Sequence, residues 1–329
     1  MTGGPGEQSA ENDSASRDPR SGDQPVRFGY LGPAGTFAEA ALRTVSEPDD
    51  ELIPFATVPE ALDAVRSGDV AGAVVPLDDS GDGAVANTLD ELAHGAPLQV
   101  VGEVCLPVAF VLLARAGTSL EDVLVVATHP HAEAQCRDWL RATLPDVEVV
   151  LTSSTADAAR AVSRNRYDAA IAAPNAAERY GLSVLAEGVQ GGDGALTRFF
   201  LVSAPGPQPV PTGADRTTLS ASTRDDTPGA LVAVLTEFAS REINLTRIES
   251  RPAGGRSERA FFSIDCDGHV ADARVGEALS ALHRSCADVR VLGSYPRADE
   301  EQAEVGPGAA DEDFAAASAW LAGVRKGQA

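Results

Sequence analysis

Three short segments of this 329-residue chain carry side chains whose types and spacing could do chemistry. Thr197-Arg198-Phe199 sets a hydroxyl, a guanidinium and an aromatic ring in a row. A threonine hydroxyl can donate to a leaving oxygen, and an adjacent guanidinium can bind a carboxylate through two parallel bonds. An ordinary edge strand with a Thr and an Arg accounts for the same residues. Gly32-Pro33-Ala34-Gly35-Thr36 follows a β-rich run and opens a helical one. Glycine lets backbone approach a ligand closely, and the exposed amides of a helix start attract anions. Neither a Walker lysine nor a dinucleotide glycine spacing accompanies it, which disfavours phosphate and NAD, and a plain strand-to-helix turn fits equally well. Val75 to Gly83 is a polar loop, Asp78-Asp79-Ser80 at its centre, at the end of an apolar strand. Ligands of open α/β sheets sit beyond such strand ends, although a solvated acidic turn has the same composition. His129 and His131 flank Pro130 without a nucleophile motif or metal-ligand spacing, so they read as loop or capping residues.

Between residues 26 and 203, β-rich runs alternate with helical ones. Val26–Leu31, Ala71–Pro76, Val123–Thr128, Val147–Leu151 and Ala169–Ala173 are the strands; Thr36–Val45, Pro59–Ser67, Ala132–Leu144 and Thr155–Ser163 are the helices. Such alternation predicts a mainly parallel sheet with helices on both faces. The apolar run Val100–Leu113, broken at Pro107, passes from one α/β lobe to a second and leaves a cleft between them. Residues 204–215 are proline-rich and sustain neither helix nor sheet, which makes them the linker. From 216 to 297 the order strand, helix, strand, strand, helix, strand predicts an α+β ferredoxin-like βαββαβ domain. Residues 1–25 read as a disordered leader. Residues 298–329 are an acidic linker and a short helix on which Phe314, Ala317, Leu321 and Val324 share a face.

A formal net charge of −23 argues against a nucleic-acid partner, which needs clustered Lys and Arg. Anionic substrates stay open, because one buried arginine dominates its own neighbourhood. Cys105, Cys136, Cys266 and Cys286 lie far apart and suggest neither zinc nor a disulfide framework. The longest apolar stretch, Leu106–Ala114, is about half a membrane span, and the first 25 residues lack a signal-peptide core. A cytoplasmic protein with no membrane partner is expected.

Taken together, the segments resemble the prephenate dehydratase family from Phe28 to Pro296. The resemblance rests on Tyr30-Leu-Gly-Pro-Ala-Gly-Thr-Phe37, His129-Pro-His-Ala-Glu-Ala-Gln-Cys136, Ser154-Thr-Ala156, Ala176-Ala-Glu-Arg-Tyr-Gly-Leu182 and Thr197-Arg-Phe199 in order. Thr227-Pro-Gly-Ala-Leu231 and Ile243-Asn-Leu-Thr-Arg-Ile-Glu-Ser-Arg-Pro252 resemble that family's ACT regulatory domains. It implies two lobes like those of periplasmic binding proteins, with the active site in the cleft. It also implies an ACT domain that binds phenylalanine at a dimer interface, in a homodimer or homotetramer. The implied reaction is that of a carbon–oxygen lyase, loss of carbon dioxide and water from prephenate to give phenylpyruvate in L-phenylalanine biosynthesis. Aromatisation drives that step, so the protein need only orient the dianion, exclude water and assist the leaving hydroxide, without a cofactor.

By position, the resemblance makes Thr197 the donor to the leaving hydroxyl and Phe199 a packing wall. Arg198 becomes a carboxylate anchor or cleft organiser, able also to support the cleft from behind. Ser80 joins the catalytic set, and Gly35, Thr36, Asp78 and Asp79 the substrate-binding one. Gly229, Ala230, Leu231, Asn244, Leu245, Glu249, Ser250 and Arg251 become the effector site. The helix start at Gly229 receives a carboxylate and Asn244 offers its amide, although turn shape and strand pairing alone also account for Glu249 and Arg251. Two departures bear on the chemistry. Asp78-Asp79-Ser80 stands where the family usually has Glu-Asn-Ser, and Ala195 where it has Asn. An extra anion beside a dianionic substrate is unfavourable unless protonated or paired. A relative in specialised metabolism that decarboxylates prephenate without aromatisation, or acts on an analogue, and a non-catalytic amino-acid sensor are the alternatives.

Overall fold

The computed structural model describes residues 25–79, 83, 84, 86–191, 196–225, 227–252 and 260–328, without the side chains of residues 79, 83, 84, 86 and 260. Residues 1–24 of the expected leader, Ser80 and Ala195 lie outside the described residues.

Lobe one is built from β1 (Arg27–Leu31), α1 (Phe37–Val45), β2 (Glu51–Phe55), α2 (Val58–Ser67), β3 (Gly72–Asp79), β4 (Gly83–Ala84), α3 (Ala86–His94) and β5 (Gln99–Pro107). Lobe two follows as β6 (Val111–Ala114), β7 (Val125–Thr128), α4 (Pro130–Thr143), β8 (Glu148–Leu151), α5 (Thr155–Ser163), β9 (Ala169–Ala172), α6 (Asn175–Tyr180) and β10 (Ser183–Glu187). Strand β11 (Leu196–Ser203) then returns to lobe one. The first sheet has the order β2-β1-β3-β11-β5 with β4 beside β3, and the second β10-β6-β9-β7-β8.

Local chemistry starts the helices where hydroxyls fall. Thr36, Thr57 and Ser154 each accept a hydrogen bond from the amide three residues on, at 3.4, 3.3 and 3.0 Å, opening α1, α2 and α5. Gly68 closes α2 in the left-handed region at φ 78°. Each helix then buries one stripe: Ala38, Ala41 and Leu42 on α1, and Ala61, Leu62 and Val65 on α2. Every such leucine contributes about 2 kcal/mol through water exclusion.

The sheets are less parallel than the alternation of strands and helices predicts. Pairs β1–β2, β1–β3, β7–β8 and β7–β9 are parallel, but β11 runs antiparallel to both β3 and β5, and β6 to both β9 and β10. The reason is connectivity: β5 leads out of lobe one and β11 leads back, so the two crossing segments run in opposite directions. The crossing itself falls where Pro107 breaks the apolar run, and the two-lobed layout is the one the resemblance implies.

The last third holds β12 (Asp215–Ser222), α7 (Ala230–Ala239), β13 (Leu245–Pro252), β14 (Ala260–Asp267), α8 (Ala273–Ser285) and β15 (Asp288–Pro296), the expected βαββαβ order. Its antiparallel sheet runs β13-β14-β12-β15, with Leu219, Val234, Phe238, Ile264, Val275 and Leu282 buried in one cluster. Strand β15 lies on β5 of lobe one, and its Leu292 and Tyr295 share a core with Val100, Phe200 and Val202. Gly293 makes that approach possible, since a Cβ there would stand 2.0 Å from the Val100 carbonyl oxygen. The proline-rich run is pinned as well: Gln99 Nε2 donates to the Pro207 carbonyl at 3.2 Å, and the Ser294 amide to Gln208 at 2.9 Å. Helix α9 (Asp311–Arg325) touches α8, and its Trp320, Leu321 and Val324 are exposed. No described helix is long and apolar enough to cross a membrane.

Candidate active site

A cavity of about 420 Å³ opens between the two lobes. From lobe one it takes Gly32, Thr36, Phe37, Pro76, Thr197 and Phe199; from lobe two come Val108, Phe110, His129, His131 and Ser153 to Thr155. Phe37 and Phe110 meet edge to face at 5.5 Å across the gap, so aromatic rings close one wall. No Lys or Arg lines the cavity among the described residues.

Helix starts supply positive potential in place of a cationic side chain. Thr36 is the N-cap of α1, His129 of α4 and Ser154 of α5, and all three line the cavity. Each helix start carries roughly half a positive charge and unsatisfied amides, and three of them converging favour an anion. His129 caps α4 through Nδ1, which accepts from the His131 amide at 3.3 Å, the capping role its sequence position suggests. His131 Nε2 lies 2.6 Å from Gln135 Nε2.

The glycine-rich loop is held from lobe two. Asn175 Nδ2 donates to the Thr36 carbonyl at 3.1 Å and Tyr180 OH to the Ala34 carbonyl at 2.5 Å. Gly35 sits at φ 89°, a backbone conformation that favours glycine, and an added Cβ would also crowd the Tyr180 ring at 3.0 Å. Its amide donates to Glu39 Oε2 at 2.5 Å, and Gly35 is not among the lining residues. Thr36 Oγ1 donates to the Leu31 carbonyl at 3.0 Å.

Strand β11 divides its residues between two faces, because successive side chains of a strand point to opposite sides. Thr197 and Phe199 line the cavity, whereas Arg198 is buried against the C-terminal domain. Arg198 donates through Nε to Glu103 at 2.6 Å, through Nη1 to Asp265 at 2.5 Å and through Nη2 to the Tyr295 hydroxyl at 3.0 Å. Its carbon stem is covered too, with the guanidinium 5.3 Å from the Phe200 ring centre. Burial disfavours the charge, but Asp265, Tyr295 and Glu103 outweigh it and hold the Arg198 pKa above its ordinary range.

Asp78 pairs across the sheet with Arg198 in register, and its carboxylate lies 3.6 Å from Arg247 Nε of β13. Burial raises the Asp78 pKa above the usual carboxylate value, more than Arg198 and Arg247 lower it. The backbone of Asp79 pairs with Thr197 and Gly83; its side chain and all of Ser80 lie outside the described residues.

The predicted effector residues are spread along the C-terminal domain rather than gathered at one point. Gly229, at φ 91°, caps α7 ahead of Ala230 and the exposed Leu231. Asn244 precedes β13 at the other end of that ten-residue helix, about 15 Å away along its axis, and donates to Asp267 at 2.9 Å. Leu245, Glu249, Ser250 and Arg251 follow on β13, where Glu249 accepts from Arg247 at 3.0 Å and Arg251 reaches Asp90 of α3 at 2.8 Å. One chain therefore does not gather the helix start and Asn244.

The starts of α4 and α5 were not among the predicted site residues, although their His129 and Ser154 motifs stand out in the sequence. An N-cap serine and an active-site serine look alike locally, and only the facing of the lobes separates them.

The comparisons with known proteins agree with this geometry. The family described as prephenate dehydratase matches residues 28–207, and the ACT domain matches residues 217–284. A protein of Amycolatopsis methanolica named prephenate dehydratase is 48% identical over 303 residues, 92% of this chain and 99% of its own. The crystal structure of the Arthrobacter aurescens prephenate dehydratase in complex with L-Phe superposes with a TM-score of 0.87 at 46% identity, covering 92% of this chain and 100% of that one. GqqA, described as a novel type of quorum quenching acylase, is 30% identical with a TM-score of 0.73, over 82% of this chain and 97% of its own. With a two-lobed domain, the Thr-Arg-Phe strand at its cleft and an ACT domain behind it, the chain belongs to the prephenate dehydratase family.

Proposed function

We propose that the chain converts prephenate to phenylpyruvate, releasing carbon dioxide and water, and that phenylalanine regulates it through the ACT domain. The observation that carries the reading is Thr197 lining an aromatic-walled cavity onto which the starts of α1, α4 and α5 converge. Helix amides suit the carboxylates of a dianion, and the hydroxyl of Thr197 donates to the departing oxygen. Threonine is far too weak an acid to ionise, so its part is a hydrogen bond in a site from which water is excluded. Phe199, Phe37 and Phe110 wall the ring that becomes aromatic. Thr36 adds a polar group to the lining, the family resemblance assigns Ser80 and Asp79 to the site, and Arg198, with Asp78 beside it on the face turned away from the cavity, supports the cleft from behind. A related scaffold serves a protein titled an acylase, so fold alone does not decide function; the near-full-length relatives named prephenate dehydratase favour the aromatising reaction.

The catalytic domain is assigned residues 26–203, the linker 204–215, the ACT domain 216–297 and the acidic linker with its short helix 298–329. Separation of Gly229 from Asn244 within one chain supports an effector pocket completed by a second copy, and hence a homodimer or a tetramer of dimers, working in the cytoplasm. The L-Phe complex of the Arthrobacter relative supports phenylalanine as the effector. The direct test incubates purified protein with prephenate and identifies products by mass and ultraviolet spectra. Phenylpyruvate is expected; a decarboxylated product that keeps a non-aromatic diene would sink the proposal. Titration calorimetry with phenylalanine tests the regulatory half, and no binding would remove it.

A further inference from the structure

Outside the cavity, a buried set of ionisable groups lies between lobe one and the ACT domain. Glu103, Arg198 and Asp78 come from lobe one, Arg216, Asp265 and Arg247 from the ACT sheet. Three guanidiniums face three carboxylates, and the side chains of Glu103 and Asp265 are 1% and 0% exposed. Charges so deep add little stability over packed apolar residues of the same volume, so a purely structural explanation is weak.

The hydrogens within the set run in one direction. Burial pushes the Tyr295 phenol well above its ordinary pKa, so it keeps its proton. Thr218 Oγ1 spends its hydrogen on Asp265 Oδ1 at 2.8 Å. Tyr295, 2.5 Å from the same Oγ1, is then the donor in that bond while accepting from Arg198 Nη2. Arg198 Nη1 completes the ring on Asp265 Oδ2. Arg247, 3.9 Å from Asp265, extends it to Asp78. Both strands that carry the cleft's polar residues are thus tied at their ends to the ACT domain: β11 through Arg198, beside Thr197, and β3 through Asp78.

We propose that Asp265 and Arg247 of the ACT domain are positioning residues for the reaction, Asp265 holding Arg198 and so fixing the Thr197 backbone, and Arg247 holding the Asp78 end of β3. The proposal rests on the dehydratase reading above. On it, the ACT domain supplies part of the support of the catalytic strand, and a movement of its sheet reaches Thr197 through a single side chain.

The test measures kcat and KM for prephenate in the full-length protein. Asp265→Asn is expected to lower kcat about tenfold or more with KM little changed, because misplacement of the donor acts on the transition state. Tyr295→Phe keeps the ring against Phe200 and removes only the hydroxyl; a drop of a few fold is expected, and this variant decides the matter should Asp265→Asn fail to fold. A double-mutant cycle with Thr197→Ala separates positioning from general loosening. Once the Thr197 hydroxyl is gone, Asp265→Asn or Tyr295→Phe should have no further effect on residual turnover. An equal loss in both backgrounds, or a change in KM alone, overturns the proposal while leaving the dehydratase reading intact. Wild-type protein that forms no phenylpyruvate overturns both.

Discussion

Strand β11 borders two interfaces that solve opposite problems. Toward lobe two it faces an aromatic cavity with no fixed cation among its described lining residues, where charge is met by backbone dipoles at three helix starts. Toward the ACT domain it faces a largely buried set of side-chain ion pairs. The difference shows how a site can receive a dianion and release its product. On the proposed reading, helix amides receive the anion with no guanidinium in the cavity, and the Arg198 guanidinium stands one residue from Thr197 on the opposite face of the strand. Alternation along a strand is enough to keep the two functions apart.

The largest effect should come from the cavity face. Thr197→Ala should reduce turnover on the order of 10² to 10³ fold, the usual cost of removing one preorganised donor to a developing oxyanion. Thr197→Ser should restore most of it, measured as phenylpyruvate formed per second. Equal activity of the alanine and serine variants would collapse the contrast between the two faces of β11. On the other face, Gly293→Ala should destabilise the ACT interface by roughly 1–3 kcal/mol, since the new methyl meets the Val100 carbonyl 2.0 Å away. Urea unfolding followed by Tyr and Trp fluorescence measures it, and an unchanged midpoint would show that β15 and β5 are not packed as described.

The smallest effect is a pH signature that sets two carboxylates apart. Burial pushes the Asp265 pKa up, but Arg198, Arg247 and the hydrogen bonds from Arg198 and Thr218 hold it below the usual carboxylate range. A lowered acid contributes stability that is present above the unfolded pKa and lost as pH falls through the folded one. Asp265→Asn should therefore cost stability at pH 7 and progressively less as the pH falls below about 4. Asp78 has the opposite sign. Its raised pKa penalises ionisation in the folded state, so Asp78→Asn should stabilise the protein at pH 7 and change nothing well below pH 4. Thermal melts of both variants across that range check the pair, and a neutral-pH loss in Asp78→Asn would reverse the assignment.

The elements that position the site were legible because their causes are local. Thr36, Thr57 and Ser154 cap their own helices, Gly68 ends α2, and Pro107 breaks the crossing run, each through bonds to residues a few places away. Residue types in order also marked Thr197, Phe199 and Thr36, which the fold brings to one cavity. Strand direction was not legible, since β11 reads the same in either sense until its partners are known. The share of the starts of α4 and α5 in the cleft was hidden for the same reason, because which end of a helix faces a gap depends on how two lobes dock.

What the sequence by itself determined was therefore the set of helices and strands, the division into a two-lobed domain and a βαββαβ domain, and the family to which both belong. The facing of Arg198 was decided only by the tertiary structure. A guanidinium beside the threonine proposed as donor reads as a substrate anchor along the chain, and it becomes a support only when Glu103, 95 residues before it, and Asp265, 67 after it, close around its fork. Electrostatic partners depend on distance in space, which local sequence does not encode.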